Sequence, residues 1–185
     1  VAGLTATGSS RYIFAMVGAG TNADVTSIDC TIEGTSAAVS MTRVFFEQGP
    51  NGFEDYAGFV IPEASLPGDG PYTLEATTSG GATPARMGIV AASIQDAPSA
   101  PVVTTANGSP IAATPASDGS LVLAGFGSSD SATGDTLTGA TQVEALHYGN
   151  DGLQLGWVQQ DASELSVSTS NGGRIQGALA IFAPS

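Results

Sequence analysis

Lysine is missing from this chain altogether, and four arginines (Arg11, Arg43, Arg86, Arg174) are its only permanent side-chain cations in 185 residues. Against 17 acidic residues they leave a net charge of -13. Such a chain repels phosphate backbones, and four scattered arginines form no basic patch. Nucleic acid and anionic membrane surfaces are therefore excluded as expected partners. A single cysteine rules out an internal disulfide, and with it a stapled secreted scaffold. One histidine beside one cysteine cannot form a zinc site without several carboxylates, and no ligand spacing supports one. No apolar stretch approaches the ~20 residues a membrane helix needs. The first residues show no basic region followed by a signal-peptide core, and Val1 in place of an initiator Met suggests processing or a start within a longer chain.

Only 11% of the residues are charged while 42% are hydrophobic, a balance that favours a packed core over disorder. Short β-type runs alternate with Gly, Pro, Asn, Asp and Ser clusters. They predict strands near 11–18, 24–33, 38–47, 55–62, 72–78, 86–95, 120–127, 141–149, 153–160, 164–169 and 174–183. No window sustains a helical period. The expected fold is all-β: a single jelly-roll-like antiparallel β-sandwich over 1–185, with about 11 strands in two sheets. A sub-boundary falls in 96–119, where Pro98, Pro101, Pro110 and Pro115 lie among Ala, Ser and Thr. The halves on either side look loosely alike, each opening on an apolar strand and closing on an Arg-led one.

Two kinds of strand are distinguishable. Val25 to Glu33 alternates, which puts Ile28, Cys30 and Ile32 on a buried face. Tyr12 to Val17, Leu121 to Ala124, Met87 to Ala92 and Ala178 to Phe182 are apolar on both faces. Those strands want cover on two sides, as central strands or at a subunit contact.

Signals for chemistry are weak. Gly18-Ala19-Gly20-Thr21-Asn22-Ala23 half-resembles a dinucleotide fingerprint, but a strand follows it where a helix must, so it is expected to be a turn. No Gly-x-Ser-x-Gly elbow occurs. Cys30 is in phase with the core, and His147, alternating with Val143 and Ala145, is expected to be structural. The carboxylates available to pair for glycoside cleavage, such as Asp69, Asp118, Asp130 and Asp135, sit in Gly/Ser-rich turns, where Asp stabilises the turn itself. No catalytic, cofactor-binding or metal residue is assigned, and the chain is expected not to be an enzyme. Structural calcium is the one metal with plausible ligands, in Asp130 to Asp135 and Asn150-Asp151-Gly152, although neither has EF-hand spacing. Trp157 shares the phase of Leu153 and Leu155 and is expected in the core. Tyr56, Phe53 and Tyr148 lie near strand ends, where a ring could stack a sugar. Asn107-Gly108-Ser109 fits a glycosylation sequon, followed by Pro110.

Three segments taken together carry a resemblance: Arg11 to Val17, Val25 to Gly34 running on to Met41 to Val44, and Gly177 to Phe182. Their order resembles jelly-roll β-sandwich modules of tailed-phage structural proteins and of bacterial surface or secreted proteins. The resemblance implies a non-enzymatic structural protein at a virion surface, such as a capsid-decoration or head or tail appendage subunit. Its implied partners are copies of itself or other particle proteins. The alternative is an extracellular carbohydrate-binding or adhesion module. No ligand residue is carried over from either.

Overall fold

The computed structural model describes residues 2–4, 11–20, 27–34, 37–48, 54–67, 71–79, 86–95, 97, 99–129, 135–148, 150–170 and 175–184. These residues hold antiparallel strands in four sheets, one turn of 3-10 helix at Glu63–Ser65, and no α-helix. Contacts divide the chain into two compact units, Val1–Ala100 and Pro101–Ser185. The division lies inside the proline-rich segment.

The first unit contains β1 (Ala2–Leu4), β2 (Tyr12–Gly20), β3 (Ser27–Glu33), β4 (Ala38–Ser40), β5 (Thr42–Gln48), β6 (Glu54–Pro62), β7 (Tyr72–Ser79) and β8 (Arg86–Ile94). One sheet runs β1-β7-β3-β4 and the other β5-β6-β2-β8. Cys30, Ile32, Tyr72 and Leu74 from the first sheet share a hydrophobic cluster with Ile13, Ala15, Val17, Ala57, Phe59 and Ile61 from the second. The unit is thus two-layered, and alternation along β3 and β7 directs their apolar side chains into that layer. Arg11 closes one end. Its Nε lies 3.1 Å from Glu63 Oε1, and the Glu63 amide donates to the Arg11 carbonyl at 2.7 Å.

The second unit contains β9 (Val102–Asn107), β10 (Ile111–Ala113), β11 (Ser120–Ser129), β12 (Leu137–Thr138), β13 (Thr141–Tyr148), β14 (Asp151–Gln160), β15 (Leu165–Thr169) and β16 (Ile175–Phe182). Its sheets run β10-β15-β12 and β13-β14-β11-β16-β9. Ile111, Leu165 and Val167 of the small sheet cluster with Val122, Ala124, Phe126, Leu179 and Ile181 of the large one.

The two units repeat one strand plan. In the first, β2 is flanked by β6 and β8, β5 pairs with β6, and β7 joins β1 to β3. In the second, β11 is flanked by β14 and β16, β13 pairs with β14, and β15 joins β10 to β12. Registers correspond as well: Ala15 lies between Phe59 and Ala91, and Ala124 lies between Gly156 and Leu179. The edge strands even share an irregularity. Register slips between Arg43 and Phe45 on β5 and between Gln142 and Glu144 on β13. Each slip sits in a Thr-x-Val, Thr42-Arg43-Val44 and Thr141-Gln142-Val143. A second match joins Leu74-Glu75-Ala76-Thr77-Thr78-Ser79 to Leu165-Ser166-Val167-Ser168-Thr169-Ser170. Two strands have no counterpart: β4 in the first unit and β9 in the second.

Several expectations change here. The run 38–47 is two strands in different sheets, broken at Met41, whose amide turns back to the Cys30 carbonyl at 2.9 Å. The proline-rich crossover holds β9 and β10, because its prolines flank the strands and leave Val102 to Asn107 free to pair. Gly18 to Gly20 belong to β2 rather than to a turn. The rest of that half-fingerprint, 21–23, lies outside the described residues. Of the strands apolar on both faces, β2 is buried on both, with Ile13 to Val17 at 0% exposure, whereas β8 mixes buried and half-buried residues, and no described strand pairs with its outer edge.

Candidate functional site

Backbone position explains most of the chemically interesting side chains. Cys30 is a free thiol, 1% exposed and packed with Ile32 in the first core. Burial pushes its pKa up to about 11, so little thiolate forms near neutrality. The side chain of Ile28, its expected companion, lies outside the described residues. His147 is half-buried on β13, across from Gly152.

Two sets of acidic residues stand out. Asp118 and Asp161 make a reciprocal clasp between two turns: Asp118 Oδ1 accepts from the Ala162 amide at 2.7 Å, and Asp161 Oδ1 accepts from the Gly119 amide at 3.2 Å. This is the turn-stabilising use of Asp expected of Asp118. The other group is buried. Asp55 on β6 is 0% exposed, opposite Ala19 and Gln48, and Asp151 on β14 is 1% exposed, opposite Ser129 and Tyr148. Each stands at the start of the returning strand of an edge hairpin, and both are partnered. Asp151 is the one acidic residue of the Asn150-Asp151-Gly152 calcium candidate, and sequence reasoning saw it as a loop ligand, not as a buried strand residue. Asp130 and 131–134 of the other calcium candidate lie outside the described residues, as does Asp69; Asp135 is half-buried. Among the described residues no three His, Cys, Asp or Glu side chains gather closely enough to hold a metal ion.

A polar thread absent from the sequence reading crosses the second unit. Thr169 Oγ1 donates to Gln154 Oε1, Gln154 Nε2 donates to Gln142 Oε1 at 3.3 Å, and the Leu137 amide donates to the same oxygen at 3.1 Å. Ser109 Oγ accepts from the Thr169 amide at 3.0 Å. Four strands are tied by these bonds. Nothing in local sequence pattern announces such a thread, because Gln142 and Gln154 look like solvent-facing strand residues.

The aromatic residues divide differently from expectation. Trp157 is 43% exposed, although Leu153 and Leu155 on the same face are fully buried. The phase is right; the cover ends first. Buried residues run from Asp151 to Gly156, and the strand then continues into solvent. In register, Trp157 stands between Leu123, buried, and Thr141, exposed on the edge strand. That leaves part of the indole available as a flat apolar platform beside a hydroxyl. Tyr56 is 1% exposed and so cannot stack an external ring. Tyr148 is half-buried, and Phe53 and Arg174 lie outside the described residues. Asn107, the sequon residue, is exposed at the end of β9.

No helix among the described residues is long and apolar enough to cross a membrane. Comparison with protein-family models, with curated proteins and with solved structures found no match.

Proposed function

We propose that this chain is a non-enzymatic structural protein at the surface of a tailed-phage-like particle, a capsid-decoration or head or tail appendage subunit with jelly-roll-like sandwiches. The observation that supports this best is the repetition of one two-layered β plan, with a polar network tying four strands of the second unit together. Such a design offers shape and surface. Its acidic charge keeps it off nucleic acid and anionic membranes, and its partners are other particle proteins or further copies of itself. The test is co-sedimentation: in native material the chain should travel with nuclease-resistant particles and dissociate as whole subunits. Recovery only as a free protein in the medium would reject the proposal.

Trp157 supports a second reading, an extracellular carbohydrate-binding or adhesion module, because a part-exposed indole is a common sugar platform. A glycan array separates the two. Specific glycan binding lost on Trp157→Ala would favour the module; an array blank for the native chain would remove it.

A further inference from the structure

Most sheet edges among the described residues carry some means of discouraging a further strand. Edge strands β1, β4 and β10 have three residues each, and β12 has two, too few to template a partner. The longer edges β5 and β13 are each interrupted by the register slip at Thr-x-Val and carry charge, at Arg43 and Glu47 and at Glu144. Edge strand β9 has six residues between Pro101 and Pro110.

Strand β8 has none of these devices. It runs nine residues, in unbroken register with β2 from Arg86 to Ile94. From Met87 to Ile94 it contains no charge and no proline. No described strand pairs with its outer edge. Its counterpart β16 shows what belongs there. Strand β16 pairs with β11 on one side and with β9 on the other, antiparallel from Gln176↔Asn107 to Ile181↔Val102. Burial follows from that cover: Gln176 to Phe182 are all buried on β16, whereas Met87, Ile89, Ala91, Ala92 and Ser93 on β8 are half-buried.

We propose that the outer edge of β8 is a strand-acceptor site for another polypeptide chain, which adds an extended segment antiparallel to β8 as β9 adds to β16. The segment it fits is uncharged and built of β-branched and small residues, the chemistry of Val102-Val103-Thr104-Thr105-Ala106. Main-chain hydrogen bonds supply the affinity, and small side chains let the added strand sit beside Ala91, Ala92 and Ser93. The inference stands apart from the phage reading, since it concerns a sheet edge and not the assembly that uses it.

A synthetic peptide with the sequence of residues 101–108, titrated into the intact protein up to millimolar concentration, tests it by amide hydrogen exchange. Alternate amides between Met87 and Ile94 should slow by about tenfold or more, while those of β5 stay unchanged. Ala92→Lys and, separately, Ser93→Lys should abolish the effect, each checked for a native circular dichroism spectrum. A peptide that leaves β8 exchange unaltered overturns the proposal. So does full protection of that edge in the dilute chain alone, which would mean cover from within the molecule. Protection that rises with protein concentration, without peptide, would replace the foreign strand by a second copy and overturn the partner assigned here.

Discussion

Arg43, Ala57 and Thr78 in the first unit occupy the places that Gln142, Gln154 and Thr169 hold in the second. In the first unit, Ala57 is fully buried in an apolar cluster, and the Arg43 guanidinium lies over the Phe46 ring at 5.2 Å from its centroid. In the second, the same three places carry the polar thread that ties β12, β13, β14 and β15. One backbone plan therefore tolerates two ways of holding its layers together, apolar contact or a satisfied polar network. Half of either costs stability, because a buried amide without partners loses its hydration for nothing.

The comparison can be broken at its strongest point by moving the network's central residue alone. Ala57→Gln places an amide in the first core without Gln142 or Thr169 to meet it. Overpacking and an unsatisfied polar group together should destabilise by about 3–5 kcal/mol, measured by chemical denaturation. A loss below 1 kcal/mol would mean that the first core can recruit partners and that the two modes are interchangeable.

Next in size is a pH effect confined to the first unit. The native Cys30 thiol keeps its proton up to about pH 11, whereas the unfolded thiol releases it near 9.0. Between those values the unfolded chain binds fewer protons, so stability must fall as pH rises. The contribution is intact below pH 9 and is lost towards pH 11, by about 2–3 kcal/mol. Cys30→Ala should flatten this component of the alkaline slope, and native Cys30 should resist thiol reagents at pH 8. Rapid labelling without denaturant would contradict its burial.

Smaller losses probe the second unit. Thr169→Val removes the donor to Gln154 and should destabilise by about 1–2 kcal/mol, recovered in part by Gln154→Leu in the same chain. Trp157→Ala should be milder than the about 3–5 kcal/mol of a core aromatic, about 1–2 kcal/mol, because its platform is already wet. Trp157 emission should be accessible to a soluble quencher. A blue-shifted, shielded indole would return Trp157 to the core.

Periodicity located most long strands because alternation and turn residues are local facts. Strands β3 and β14 illustrate both the reach and the limit of that logic. Phase puts Cys30 in the core, and it is buried there. The same logic of phase puts Trp157 in the core, yet it is exposed, because whether a face is covered depends on what packs above it, which phase does not contain. Strand β9 was hidden by prolines at its ends. The repeated plan was faint in sequence because register and pairing preserve it, while identity survives in little more than Thr-x-Val and a Leu-led strand. The buried Asp55 and Asp151 gave no signal, since each lies beside turn residues that make a surface acid the simpler expectation.

The register slips at Val44 and Val143 have a consequence for assembly. A sheet that can be extended at both margins has a valence of two and grows without limit. Here the margin opposite β8 is kinked and charged, so a strand-acceptor site at β8 would give that sheet a valence of one. An incoming strand finishes the sheet instead of passing an open margin to the next molecule. On the proposed docking at β8, growth by edge addition through this one sheet stops after a single added strand.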